Sequence, residues 1–296
     1  MTSPFASRSK GSGRRGRWDA GCFAMHEPRI TDQDREIYDT WMHGCRAYSG
    51  TRAHRRAVKW AKKLVAEMQR SCESPYIAWS AGKDSTVLVH LICVQMGLDM
   101  PVMSLVTDLE PPGTRDYMEQ WASRWEVDLR IIEPDVSFKA WLREHADEVD
   151  LSRKVVTGKT GLGGVWDKTM RRWRESSGHD GLYWGLRMDE SKGRRANFHA
   201  RGAVYQTKDG FWRAQPIVGW TGRDVYAYVA SHDDIELMDL YRCVRLHDSP
   251  EMVRKAMCLP DSKGQGPSRG ATWLRTYYPS LYAELAEILP QMSQMA

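Results

Sequence analysis

The sequence lacks the features that mark secreted, membrane-spanning and cysteine-ligated metal proteins. Its 296 residues contain six cysteines, and none of them forms a Cys-x-x-Cys pair, so the pattern supports neither a zinc ribbon nor a four-cysteine iron–sulfur site. No apolar run approaches the roughly 18 residues of a membrane span, and the N-terminus has no signal-peptide core. We therefore predict a cytoplasmic protein with reduced thiols and no membrane contact.

Acidic residues are absent from the first 17 positions, which carry five basic residues. These five charges equal the formal net charge of +5, so residues 18–296 are formally neutral. Ser, Gly and Arg dominate this stretch, and that composition predicts a disordered basic tail over residues 1–28. A tail of this kind either binds nucleic acid or an acidic partner through residues 1–17, or keeps the protein soluble.

One short stretch has the pattern of an anion-binding turn. Residues 76–79 read Tyr-Ile-Ala-Trp, which predicts a buried strand, and residues 86–93 read as a buried helix. Between them lies Ser80-Ala81-Gly82-Lys83-Asp84-Ser85. A strand, a tight turn and a helix direct backbone N–H groups at whatever the turn holds, which favours phosphate. Gly82 predicts unusual backbone angles and close approach of a ligand.

The turn is not a Walker A loop. That pattern places a further glycine upstream, where this chain has Ile77, and a Ser or Thr directly after the lysine, where it has Asp84. We predict instead that Lys83 supplies a cation and that Asp84 caps the following helix.

The surrounding pattern predicts an α/β fold. A buried strand ends just before Asp108, and strands alternate with helices, which is typical of a parallel sheet that binds ligands at the carboxyl ends of its strands. The 80–85 turn and Asp108 should therefore share one cleft. The predicted helices are 31–48, 52–70, 114–125 and 137–146, and the further strands are 102–107, 129–132 and 182–184.

Two charged segments follow. Residues 152–174 lose hydrophobic periodicity and are rich in Gly, Lys and Arg, which predicts a mobile basic loop that closes over an anionic substrate, or a plain surface insertion. Residues 185–195 place several charges directly after a strand, where arginine would contact phosphate oxygens. Asp189 and Glu190 would orient those arginines or help to hold Mg²⁺.

The last segments of the sequence predict structural elements. A hairpin is expected over 204–213 with Asp209-Gly210 at its turn, followed by a helix capped at Thr221 with Asp224 completing a capping box. A helical cap is expected over 273–289, broken near Pro279, after a Gly/Ser/Pro-rich loop at 263–271.

Three motifs stand in order between residues 74 and 241. They are Ser80-x-Gly-Lys-Asp-Ser85, then Gly185-x-Arg-x-x-Glu-Ser191, then Pro216-Ile-x-x-Trp-Thr-x-x-Asp-Val-Tyr-x-Tyr-Val229. This set resembles the pyrophosphate-binding-loop (PP-loop) adenine-nucleotide α-hydrolase superfamily, in the branch with PAPS reductases and the small subunit of bacterial ATP sulfurylase. The resemblance implies a Rossmann-like (HUP-type) parallel sheet flanked by helices. It also suggests an α/β domain over 29–241, including an N-terminal helical layer, and a C-terminal helical extension over 242–296.

The resemblance also implies an adenine-nucleotide site with ATP (or PAPS) and Mg²⁺. Lys83, Arg187 and Arg195 would be catalytic, with pyrophosphate leaving as an anionic acceptor attacks the α-phosphorus. The nucleotide-binding residues would be Ser80, Ala81, Gly82, Lys83, Asp84, Ser85, Asp108, Gly185, Arg187, Glu190 and Arg194.

Several alternatives stay open at this point. Sulfate, a nucleic-acid base or a carboxylate would serve as the acceptor, and the likeness to the sulfurylase subunit implies a protein partner. A thiol-dependent PAPS reductase would use Cys258, although the Glu-Cys-Gly-x-His motif of family reductases is missing around it. A non-catalytic module that binds nucleotide or nucleic acid is the third reading.

Overall fold

The computed structural model describes residues 27–149, 161–255, 258 and 270–294. Nearly all of the predicted tail 1–28, the start of the predicted basic loop 152–174 and most of the predicted loop 263–271 lie outside these residues.

Six strands of the described chain form one sheet in the order β3-β2-β1-β4-β6-β5. Every neighbouring pair is parallel except β5 and β6, which are antiparallel and form the predicted hairpin at one edge. The structure therefore confirms the α/β fold with a parallel sheet. The strands are β1 (Pro75–Ala78), β2 (Val102–Leu105), β3 (Leu129–Ile132), β4 (Gly181–Tyr183), β5 (Val204–Gln206) and β6 (Trp212–Ala214).

Helices cover both faces of the sheet. The described helices are α1 (Asp32–Ser49), α2 (Arg52–Ser71), α3 (Lys83–Val89), α4 (Thr114–Arg124), α5 (Phe138–Glu144), α6 (Leu162–Ser177), α7 (Lys192–Arg201), α8 (Gly222–Ala230), α9 (Ala271–Tyr277) and α10 (Pro279–Ile288). A π-helical segment, His90–Gln95, continues α3. None of the helices among these residues is long and apolar enough to cross a bilayer.

The predicted capping box of α8 forms as expected. The Asp224 carboxylate accepts from the backbone N–H of Thr221, and the Thr221 hydroxyl accepts from the Asp224 N–H. Burial raises the pKa of the Asp224 carboxyl, but hydrogen bonds from His54, Thr221 and Tyr48 outweigh burial and lower it to about 2. α1 carries a capping box of the same kind, built from Thr31 and Asp34.

Asp34 also joins the N-terminal helical layer to the C-terminal part of the chain. Its buried carboxylate accepts from the Tyr277 hydroxyl (2.6 Å) and from the backbone N–H groups of Val244 and Arg245. One hydrophobic core takes in residues from Cys45 to Met292. The domain boundaries at 28 and 241 stay predictions.

The prediction of an irregular basic loop over 152–174 is wrong for its described part, which forms α6 from Leu162 onward. Leu162, Val165 and Trp166 pack against the main core, and Met170 and Trp173 pack on the sheet around Tyr76. These positions do recur at helical spacing. The glycines at 161, 163 and 164 and the dense arginines hide that spacing in the sequence.

Candidate nucleotide-binding site

The turn between β1 and α3 is held by its own serines. The Ser85 hydroxyl accepts from the Ser80 N–H (3.2 Å) and donates to the Gly82 carbonyl (3.0 Å). The positive backbone angle falls on Ala81 (φ 54°), whereas Gly82 has an ordinary φ of −71°. Space around Gly82 is tight instead, because a Cβ there would lie 3.1 Å from the Ser80 hydroxyl oxygen.

Lys83 is buried at the start of α3, with 1% of its surface exposed. Its ammonium group donates to the Val253 carbonyl (3.0 Å) and lies 3.6 Å from the Asp84 carboxylate. Its backbone N–H donates to the Tyr241 hydroxyl (2.8 Å). Burial lowers the pKa of Lys83, since few solvent dipoles stabilise its charge, so an approaching anion would meet a poorly solvated cation.

Asp84 does not cap α3, contrary to the sequence prediction. The N-cap is Gly82, which has no side chain to offer, and Asp84 instead forms an ion pair with the Arg187 guanidinium (2.6 Å from Nε). Arg187 is 2% exposed and also contacts Asp189 (2.7 Å). The first turn of α3 is thereby fixed to the segment that follows β4.

Glu190 connects three arginines in this segment. Its side chain is 6% exposed and lies 3.5 Å from Arg187 and 3.0 Å from Arg254, and it also pairs with Arg194. Because a buried carboxylate needs compensating charge, this arrangement fixes the guanidinium groups beside the turn. Arg254 comes from a segment in which the sequence predicted no site residue.

These elements surround a cavity of about 650 Å³ between the turn and α6. The charged side chains lining it are mostly cationic, and flat aromatic side chains cover much of the remaining wall, which suits a ligand with phosphates and a planar ring. The basic residues are Lys83, Arg171, Arg174, Arg194, Arg213, Arg254 and Lys255; the acidic ones are Asp84, Asp167 and Glu190; the aromatic ones are Tyr76, Trp79, Trp166, Trp184, Phe211 and Tyr241.

Most of the predicted site residues meet at this cavity. Ala81 and Arg187 are buried and are not among the described residues that line it. Arg195 is exposed on α7 and is not among the lining residues, whereas Arg194 is. The predicted residues that line the cavity are Ser80, Gly82, Lys83, Asp84, Ser85, Gly185, Glu190 and Arg194.

Asp108 does not share the cavity, contrary to the prediction of a common cleft. Its carboxylate accepts from the Ser137 hydroxyl (2.6 Å) and from the backbone N–H groups of Phe138 (2.8 Å) and Lys139 (3.2 Å). Asp108 therefore satisfies the N-terminal N–H groups of α5, which would otherwise have no partner. The position at a strand end was predicted correctly, but the direction of the side chain was not.

The cavity does not contain a ready-made magnesium site. Within the described ranges, no group of three or more His, Cys, Asp or Glu side chains could hold a metal ion. The carboxylates of Asp189 and Glu190 pair with arginines instead of facing one another. Mg²⁺ stays a prediction, and these carboxylates do not fit it.

Gly185 allows the segment after β4 to approach the turn closely. A Cβ at this position would lie 3.0 Å from the backbone N and Cα of Ser85, and backbone atoms cannot move aside cheaply. We expect Gly185→Ala to lower the free energy of unfolding by about 1–3 kcal/mol through this overlap. Gly193→Ala is the matched control, because a Cβ there meets nothing within 4 Å. Equal melting temperatures of the two variants would contradict this account.

Comparison with known proteins identifies relatives of this chain. The family model described as "Phosphoadenosine phosphosulfate reductase domain" matches residues 74–244. A phosphoadenosine 5'-phosphosulfate reductase of Xanthomonas axonopodis pv. citri is 28% identical over 188 residues, which cover 62% of this chain and 70% of that protein. The corresponding reductase of Xylella fastidiosa is 23% identical over 187 residues, covering 61% and 73%.

Solved structures give weaker matches. The phosphoadenylyl-sulfate reductase of Candida auris in its phosphate complex superimposes with a TM-score of 0.46 at 15% identity, covering 61% of this chain and 82% of that one. The FMN adenylyltransferase of Candida glabrata, in complex with FAD and inorganic pyrophosphate, gives 0.45 at 12% identity, covering 71% and 69%. The family match spans the turn, the 185–190 segment and the capped helix α8. This chain therefore belongs to the phosphoadenosine phosphosulfate reductase domain family.

Proposed function

We propose that this protein binds ATP and cleaves its α–β phosphate bond, transferring the adenylyl group to an acceptor. The observation that carries the proposal is the composition of the cavity wall. It combines the serine hydroxyls of the 80–85 turn with seven basic side chains, and no cysteine is among the described residues that line it. Such a wall stabilises a departing polyphosphate but offers no nucleophilic thiol.

The pyrophosphate would lie at the turn. Lys83 and the hydroxyl of Ser80 would bind its oxygens while Ser85 holds the turn, and Arg194 and Arg254 would neutralise the charge that develops as it leaves. An acceptor oxygen then attacks the α-phosphorus in line: the new O–P bond forms as the bond to the bridging oxygen breaks, and that oxygen keeps the electron pair. The products are the adenylylated acceptor and pyrophosphate.

Arg187 would act as a positioning residue in this scheme. It lies behind Asp84 and beside Glu190, so it contacts the groups that shape the turn while the cavity-lining residues face the ligand. Ala81 would provide the left-handed backbone step that turns the chain into α3.

Product analysis tests the proposal. The protein is incubated with ATP, with sulfate and single-stranded nucleic acid supplied in parallel as acceptors, and phosphorus NMR follows the products. With one of the two acceptors, we expect pyrophosphate and the adenylylated acceptor to form in equal amounts. ADP and orthophosphate as the products would place the cleavage at the wrong bond and refute the proposal.

A reductase is the second candidate, because the curated relatives reported above are named as PAPS reductases. The structure places Cys258 outside the cavity wall, 8% exposed, and burial raises the pKa of its thiol to about 12. A thiol in that state is almost wholly protonated at neutral pH and is a poor nucleophile.

The substitution Cys258→Ser separates the two candidates. Adenylyl transfer is expected to persist in this variant within about twofold of the wild-type rate, because Cys258 is not among the described residues that line the cavity. Sulfite release from PAPS by the wild type, abolished by the same substitution, would establish the reductase and displace the adenylylation proposal.

A further inference from the structure

A strongly basic stripe runs along the outer side of α2. Arg52, Arg56, Lys59 and Lys63 follow one another at intervals of three or four residues, and all are exposed. The whole helix carries seven Lys and Arg residues against one Glu, in a chain whose residues 18–296 are formally neutral. This density of positive charge is far above the average for the molecule, and the fold itself does not require it.

α2 is oriented so that its N-terminal half lies towards the cavity edge of the sheet, while the stripe itself faces solvent. The C-terminal end of α2, at Met68 and Cys72, lies against Gly181 at the start of β4. The Val65 carbonyl, one turn earlier, accepts from the hydroxyl of Tyr183 at the end of β4 (3.0 Å). The N-terminal half of α2 therefore lies near the carboxyl ends of the strands, where the cavity opens.

A second basic helix continues this surface to the cavity. Leu64 of α2 shares an apolar cluster with Phe198 of α7, together with Met188 and Ala203. α7 contains four Lys and Arg residues and no acidic one. One of them is Arg194, which lines the cavity. α7 therefore packs against α2 on one side and contributes Arg194 to the cavity wall, and all of its charged residues are basic.

Trp184 is an exposed aromatic side chain of the cavity wall. It follows β4, lines the cavity and is 38% exposed, with the Arg213 guanidinium 5.9 Å from its ring centroid. An exposed indole beside a guanidinium offers a flat face on which a nucleobase can stack.

We propose that the acceptor is a nucleic acid, whose phosphates bind the α2–α7 surface while one base stacks on Trp184 at the cavity. The inference rests on the proposed function, since it names the acceptor class of that site. Regularly spaced cations on an exposed helix complement a phosphate backbone. An anionic membrane fits less well, because a helix that lies on a membrane inserts an exposed apolar face beside its basic residues. On α2, Trp60 is the large apolar side chain described as exposed.

The test measures binding of a labelled single-stranded oligonucleotide by fluorescence anisotropy as a function of salt, with the full chain. The triple variant Arg56→Glu, Lys59→Glu, Lys63→Glu should weaken binding by about tenfold or more and lower the salt slope by about two to three. Trp184→Ala should weaken it by about tenfold. The control Arg124→Glu, Arg275→Glu reverses two exposed charges on α4 and α9, away from α2, and should change affinity by less than about twofold.

The outcomes separate this inference from the function on which it rests. ATP affinity, measured by calorimetry, should be the same in the wild type and the triple variant. The α2–α7 surface would be overturned if the triple variant binds the oligonucleotide as tightly as the wild type does. It would also be overturned if the triple variant loses no more affinity than the control variant. Binding to anionic lipid vesicles but not to oligonucleotide would overturn it too. A wild type that binds the oligonucleotide but not ATP would instead refute the adenylyl-transfer proposal.

Discussion

Replacing Lys83 by Met should weaken ATP binding by about tenfold or more, which corresponds to a loss of at least 1.4 kcal/mol. Lys83 is the most deeply buried cation of the cavity wall, and its ammonium group is poorly solvated before any ligand arrives. A phosphate oxygen would therefore gain more from this charge than from an exposed lysine. Methionine keeps a similar length and volume, so the change removes charge and hydrogen bonding with little loss of packing.

Two measurements serve as controls for the Lys83→Met prediction. Lys83 also donates to the Val253 carbonyl, so a thermal melt must show that the variant is folded at the temperature of the titration. Lys139→Met removes a partly buried lysine that pairs with Glu284 and is not among the described residues lining the cavity. We expect wild-type ATP affinity in that variant. Equal affinities for ATP in the Lys83 and Lys139 variants would show that Lys83 serves the fold alone.

Replacing Arg187 by Met should lower the free energy of unfolding by about 3–5 kcal/mol, the usual cost of removing one partner from a buried ion pair. The substitution takes the shared counter-charge away from Asp84, Asp189 and Glu190, of which Asp84 and Glu190 are themselves largely buried. ATP affinity should fall as well, because Asp84 and Glu190 would no longer be held beside the turn. Chemical denaturation and calorimetry measure the two effects separately.

A second substitution tests whether unpaired charge is the cause. Asp84→Asn in the Arg187→Met background removes one of the stranded carboxylates and should recover part of the lost stability, by about 1 kcal/mol or more. If the double variant is instead less stable by the sum of the two single effects, then Arg187 stabilises the fold by packing, and the proposed electrostatic link to the turn is wrong.

The fold was predictable because hydrophobic patterns and caps are local signals. The buried runs at 76–79 and 102–107, the Asp209-Gly210 turn and the box at Thr221 and Asp224 each fix a short element, and alternating strands and helices then imply a parallel sheet. The resemblance of three ordered motifs located the turn and the 185–190 segment.

The direction of individual side chains was not predictable in the same way. Asp108 comes from a strand end, as expected, but three donors at residues 137–139 take up its carboxylate. Arg194 and Arg195 are equivalent in sequence, yet helix α7 presents only Arg194 to the cavity. Arg254 and Lys255 reach the site from a segment with no motif, so long-range packing alone brings them there.

The most direct test of the central claim is a calorimetric titration of the wild-type protein with inorganic pyrophosphate, ATP, AMP and PAPS. If the turn grips pyrophosphate, then pyrophosphate should bind by itself and compete with ATP, and ATP should bind about tenfold or more tightly than AMP. Tight binding of PAPS with no measurable affinity for pyrophosphate or ATP would contradict the account.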